Sequence, residues 1–125
     1  MRFPTLFLVS IVCQTLAAQG SMRNWHFGMN ASVDMLAGPP AFQIGSAIGT
    51  GESCVTVSDV NGDLLFYSEG LNVWNANHQT MPNGTGLLCN SVDWQQGVAT
   101  CPWPGILNKH LLFHTDIDHT LYWST

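Results

Sequence analysis

Hydrophobic and polar positions alternate most clearly in the middle of the chain. Cys54-Val55-Thr56-Val57-Ser58 and Leu64-Leu65-Phe66-Tyr67-Ser68 are β-branched or aromatic runs on either side of Asp59-Val60-Asn61-Gly62-Asp63. The Asn-Gly pair supplies the positive φ angles that a tight turn requires, so this stretch predicts a hairpin. A third run, Leu71-Asn72-Val73-Trp74-Asn75, follows Gly70 and extends the hairpin to a three-stranded meander. From Asn77 to Asn90, Pro82 and the cluster Asn83-Gly84-Thr85-Gly86 predict a long loop.

The same pattern returns further along. At an offset of 47, Cys54 falls on Cys101, Asn61 on Asn108 and Leu64-Leu65-Phe66 on Leu111-Leu112-Phe113. Ser68 and Glu69 fall on Thr115 and Asp116, and with two added residues Trp74 falls on Trp123, a match that suggests inter-blade packing for both indoles. Such an offset is close to the roughly 40 to 50 residues of a β-propeller blade, itself a small antiparallel sheet. The expected fold is therefore all-β, built of antiparallel meander units consistent with the first one to two blades of a β-propeller. The units span about 50–96 and 97–125. The sequence stops at Leu121-Tyr122-Trp123-Ser124-Thr125, inside a predicted strand. Repeats depend on neighbours for their core, so the chain is read as an incomplete propeller-like domain, the front end of a longer protein. A complete small β-sandwich is the competing reading.

The first residues follow a different pattern. Met1-Arg2 is a short cationic start, Leu6-Phe7-Leu8-Val9-Ser10-Ile11-Val12 is apolar, and Ala17-Ala18 is a small-residue exit. This is the layout of a secretory signal peptide over 1–18, with the domain over 19–125. The run is too short to cross a bilayer as a permanent helix. Cys13 as a lipidated cysteine is disfavoured by the bulky Val12 before it. The expected location is secreted, extracellular or outer cell surface, with no membrane span in the mature chain. Cys54, Cys89 and Cys101 would then lie in an oxidising compartment, as buried structural cysteines or with one bridge among them.

Composition narrows the function. Of 125 residues, 9% are charged, against roughly 25% in an average domain. The net charge is -5, and Arg2, Arg23 and Lys109 are scattered, which excludes a nucleic-acid groove built on clustered cations. No metal or cofactor is expected. Asp59, Asn61 and Asp63 alternate like calcium ligands, but Gly62 stands one position too early and the distal Glu of an EF-hand is missing. A side-chain cap of its own turn by Asp59 is the expected role. His110, His114 and His119 with Asp116 and Asp118 form a dense ligand-type cluster, read as the solvated face of a strand. Asp34, Glu52, Glu69 and Asp93 are the acids available to a glycoside-hydrolase pair, but nothing in their spacing pairs them. No Gly-x-Ser-x-Gly elbow, Cys-His context or phosphate-binding glycine loop occurs, so no catalytic residue is assigned.

Five tryptophans remain, and exposed indoles serve as anchors in interfaces or stack on sugars. Trp94 and Trp103 lie in or beside predicted loops and are the expected binding residues. Asn30-Ala31-Ser32 and Asn83-Gly84-Thr85 fit the N-glycosylation pattern.

The segments Asn24-Trp25-His26-Phe27-Gly28-Met29-Asn30-Ala31, Ser58 to Tyr67, Val73-Trp74-Asn75-Ala76-Asn77-His78 and Met81-Pro82-Asn83-Gly84 carry a resemblance. The chain resembles the N-terminal propeller-like region of secreted Bacteroidetes surface proteins that carry PKD-like modules and a C-terminal sorting domain of the gliding-motility, type IX secretion kind. Thr100-Cys101-Pro102-Trp103-Pro104 stands where that pattern has a basic residue and a Val-Pro pair. The resemblance implies export and a surface or extracellular life, and no catalytic residues. The expected function is a non-catalytic β-repeat module of a secreted or surface protein, in adhesion or recognition of a protein or glycan ligand, joined to the remainder of its own chain. The alternative from another class is part of a secreted propeller enzyme acting on polysaccharide.

Overall fold

A computed structural model describes residues 20–51, 53–87, 97–115 and 121–124. A 3-10 turn at Gly20–Met22 leads into nine strands: β1 (Asn24–His26), β2 (Ala31–Asp34), β3 (Ala41–Ile44), β4 (Val55–Ser58), β5 (Leu64–Ser68), β6 (Val73–Asn75), β7 (Val98–Pro102), β8 (His110–Thr115) and β9 (Leu121–Ser124). They form three antiparallel meanders in the orders β1-β2-β3, β4-β5-β6 and β7-β8-β9, none closed into a barrel. The fold is all-β, and none of the described helices is long and apolar enough to cross a membrane.

The expected strands of the central meander are present, and the turn between β4 and β5 follows from one carboxylate. Asp59 Oδ1 accepts the amides of Asn61 (2.8 Å) and Asp63 (2.9 Å), and the Asp59 amide donates to the Asp63 carbonyl (2.9 Å). The turn spans five residues rather than a tight pair, and in the Asn-Gly pair the glycine carries the positive φ, +91° at Gly62. A Cβ there would lie 2.9 Å from Arg23 Cδ and 3.2 Å from the Gly20 carbonyl oxygen. The next turn repeats the design with an amide: Asn75 Oδ1 accepts from Asn77 (2.9 Å) and Gln79 (3.1 Å), and the Asn75 amide donates to the Gln79 carbonyl (2.9 Å). Here His78 occupies the positive-φ position, at +60°.

The expected loop over 77–90 is described to Leu87, with 88–90 outside the described residues, and its first part stays bonded to the sheet. Thr80 bridges Trp74, the Met81 amide donates to the Val73 carbonyl (2.9 Å), and the Val73 amide donates to the Gly84 carbonyl (2.7 Å). Residues 79–81 thus lie antiparallel along β6 as a fourth, short edge of the second sheet.

The sheets meet through their first strands, with β4 touching β1 on one side and β7 on the other. Asn24 Nδ2 donates to Ser58 Oγ (3.0 Å) and to the Gly62 carbonyl (2.8 Å), while the His26 amide donates to Thr56 Oγ1 (2.9 Å). β1 therefore runs opposite to β4, in the direction of β5. Rings follow the same equivalence: His26 stacks on Tyr67 with centroids 4.3 Å apart and an interplanar angle of 8°, and Trp74 lies on the Tyr67 ring at 5.4 Å. Tyr67 and Ile48 have no exposed surface and, with Val57, Val98 and Leu112, make up the small apolar core. Three buried serines, Ser32, Ser46 and Ser68, close backbone groups, as Ser68 Oγ does in donating to the Asn72 carbonyl (2.7 Å) and accepting the Gly70 amide (2.9 Å).

The repeat is phased differently from the sequence match. Phe66 lies opposite Val57 and Phe113 opposite Ala99, so second strands match at an offset of 47 but first strands at 42. The connection 103–109 is two residues longer than 59–63, and the β7–β8 ladder runs further beyond this pair before it turns, to Pro102 opposite His110, whereas β4–β5 ends one pair on at Ser58 opposite Leu64. Cys54 precedes β4, whereas Cys101 sits near the far end of β7, opposite Leu111. Both thiols are free and half-buried, and Cys89 lies outside the described residues. In the third strands Trp74 pairs with Tyr67, and Tyr122 pairs with His114, the Tyr67 counterpart. Trp123 instead stands opposite Phe113, one residue out of register with Trp74, and is 67% exposed. The first meander, over 24–44, was not marked by periodicity at all.

Candidate functional site

Alternation along β5 sends Tyr67 toward the first sheet and Phe66 toward the third. The Phe66 ring meets the edge of the His110 imidazole at 5.5 Å and 74°. Around this contact lies a cleft of about 270 Å³ between the second and third sheets. Phe66, Val73, Met81, Leu87 and Leu112 are among its apolar lining, and Asn83, Asn108, Lys109 and His110 supply its polar groups. Gly84 belongs there because a Cβ would come within 3.0 Å of both the Met81 and Val73 carbonyl oxygens, which fixes the path of this wall.

The other wall is set by the β7–β8 connection. The Trp103 amide donates to the Lys109 carbonyl (2.7 Å) and the Ile106 amide to the Trp103 carbonyl (3.3 Å), with Gly105 and Asn108 at positive φ. This closes the loop and brings Lys109 Nζ over the Trp103 ring, 4.4 Å from its centroid, a cation–π contact. The expected binding residue Trp103 is thus half-buried, with its ring engaged by the chain's own lysine, itself one of the residues lining the cleft. Trp94 lies outside the described residues. Ile106 and Leu107, 50% and 82% exposed, form an apolar tip on the same loop.

The histidine cluster is not a solvated face. His114 is buried and His110 half-buried, and burial lowers the pKa of both. The β8 strand has sheet neighbours on both sides and packs inward at Leu112 and His114, so two-residue spacing here marks the core side. Asp116, Asp118 and His119 lie outside the described residues. Among the described residues no group of three metal-ligating side chains converges.

The acids are engaged separately. Asp34 accepts Arg23 Nη2 at 2.9 Å and Nε at 3.1 Å, and the Arg23 hydrogen bond holds its carboxyl below the usual range. Glu69 is buried, accepts Asn72 Nδ2 at 2.8 Å, and is pushed up by burial. Asp34 belongs to the end of the fold where Asn24 meets Ser58, Glu69 to the opposite end of β5. They do not face one another. Glu52 and Asp93 lie outside the described residues. Asp59 is taken up by turn amides, which lower its pKa, as its capping role requires.

Between the first and second sheets, Tyr67 Oη accepts the Ala47 amide (3.0 Å) and bonds His78 Nδ1 (2.9 Å). His26 beneath it is 6% exposed and pushed down to about 4, chiefly by burial and then by His78. Of the glycosylation patterns, Asn30 donates its side-chain amide to the Ser46 carbonyl (2.9 Å) and Ser32 is buried, whereas Asn83 and Thr85 are exposed.

The cleft was not legible as a site. Its lining comes from four separate segments of chain, at 66, 73, 81–87 and 108–112, whose apolar members a sheet alone would explain. No family model, curated protein or solved structure matches the chain.

Proposed function

We propose that this chain is a non-catalytic β-repeat module of a secreted or cell-surface protein, propeller-like in organisation, and that it serves recognition through the cleft between its second and third sheets. The observation that carries this reading is the composition of that cleft. An apolar lining with a few polar groups at its edge holds a ligand by burial and orients it by hydrogen bonds. Three consecutive meanders, a fourth edge on the second, and contact through first strands favour a blade-like arrangement over a closed sandwich. The cationic, apolar and small-residue order of the first 18 residues favours secretion.

The test is capture of ligands from peptide and glycan panels by the immobilised protein, repeated with Met81→Arg. Met81 is partly exposed and its backbone holds the sheet edge, so the variant places a guanidinium at the cleft without touching the ladder. Capture lost in the variant supports recognition through the cleft. Capture unchanged by the variant, or turnover of any panel sugar, overturns the proposal.

A further inference from the structure

We infer that the cleft receives one large apolar side chain of a partner polypeptide, presented next to a carboxylate that sets against Lys109. This rests on the recognition reading above and specifies its ligand.

Size comes first. A dry cavity of about 150 Å³ holds a benzene ring, so about 270 Å³ accommodates a single aromatic or branched aliphatic side chain and little more. A sugar of that size would bring a shell of hydroxyls against walls made by Phe66, Val73, Leu87 and Leu112, where each unmatched hydroxyl is penalised. An apolar side chain carries no such penalty.

Charge gives the second constraint. Lys109 stands at the edge of the cleft in a chain whose net charge is -5. Its ammonium is held over the Trp103 ring, and among the described residues no carboxylate pairs with it. A cation held in place beside an apolar hollow is complementary to an anion carried beside an apolar group. His110 Nδ1, buried and without a hydrogen-bond partner among the described residues, adds a polar group in the same wall. Asn83 and Asn108 supply amides that suit a peptide backbone.

The surroundings select a polypeptide. Ile106 and Leu107 project beside Lys109 on the tip of the same loop, and exposed aliphatic side chains next to a side-chain-sized hollow extend the contact along a chain.

The experiment is an NMR titration of the protein with three probes: N-acetyl-L-tryptophan, N-acetyl-L-tryptophanamide and cellobiose. Wild type and Lys109→Gln are compared. Saturable shifts at Phe66, His110 and Leu112 are expected with both indole probes. The carboxylate should bind about threefold or more tightly than the amide, in line with a partly exposed ion pair. In Lys109→Gln that preference should vanish while the amide keeps its affinity, and high salt should erode it in wild type. Equal affinities, or a preference that survives Lys109→Gln, overturn the role of the carboxylate. Saturation by cellobiose alone overturns the choice of a polypeptide. Should no probe bind while Met81→Arg still abolishes panel capture, this inference fails and recognition through the cleft stands. If Met81→Arg leaves capture intact, that reading has failed first.

Discussion

Replacing His26 by Phe is expected to flatten the acid limb of the stability curve. In the fold, His26 is buried against Tyr67 and its pKa is pushed down to about 4 from 6.5, so the folded state carries a neutral ring where the unfolded chain binds a proton. Stability is complete above the unfolded value and is lost as pH falls toward the folded one. Each unit of difference is worth about 1.4 kcal/mol, so the loss amounts to about 2 kcal/mol by pH 5 and about 3 kcal/mol by pH 4. Below that the contribution levels off. Phe keeps a flat ring on Tyr67 and does not titrate. Urea denaturation followed by tryptophan fluorescence at half-unit steps from pH 8 to 4 gives both curves, and their difference isolates His26 from the other groups. Those groups include His110 and His114, which burial shifts in the same direction, and Glu69, whose raised pKa makes the fold gain relative stability as pH falls through its folded value. Parallel curves for wild type and variant would refute the argument, because a ring that protonates equally in both states contributes no slope.

Three further outcomes are expected. Tyr67→Phe removes the acceptor of the Ala47 amide and the partner of His78, and should lower stability by about 1–3 kcal/mol in urea melts. Asp59→Ala frees two turn amides and should cost about 1 kcal/mol, while Asp59→Asn should retain most of it, since Asn75 holds an identical turn with an amide oxygen; thermal melts at pH 7 compare the two. Gly62→Ala combines φ +91° with a Cβ tight against Arg23 and Gly20, and a loss of about 1 kcal/mol or more is expected by the same melts.

The central meander was legible because its strands alternate and its turn contains Asp59 and Gly62, whose chemistry acts over four residues. The first meander was not. Ala31–Asp34 and Ala41–Ile44 are short and mostly unremarkable in hydropathy, and they are held by pairing to each other and to β1, a tertiary effect. The Trp74 match misled for a related reason. A shift of one residue reverses the face of a strand, and Tyr122, not Trp123, keeps the pairing of Trp74. Among the expected binding residues, Trp103 lies on the loop that carries Lys109 to the cleft. A place beside a predicted loop says nothing about Lys109 six residues later, which the loop folds back over the ring.

The turn that Asp59 organises also bears on how the protein ages. An asparagine followed by glycine loses ammonia when the glycine nitrogen attacks the side-chain carbonyl and closes a succinimide. In this chain Gly62 N is engaged with the Asp59 carbonyl at 3.1 Å and Asn61 Nδ2 with Asp59 Oδ2 at 3.2 Å, while Gly84 N is engaged with the Met81 carbonyl at 2.9 Å. Cyclisation at either asparagine must first break these bonds, so the folded chain shields from chemical decay the two dipeptides that an unfolded chain would lose soonest.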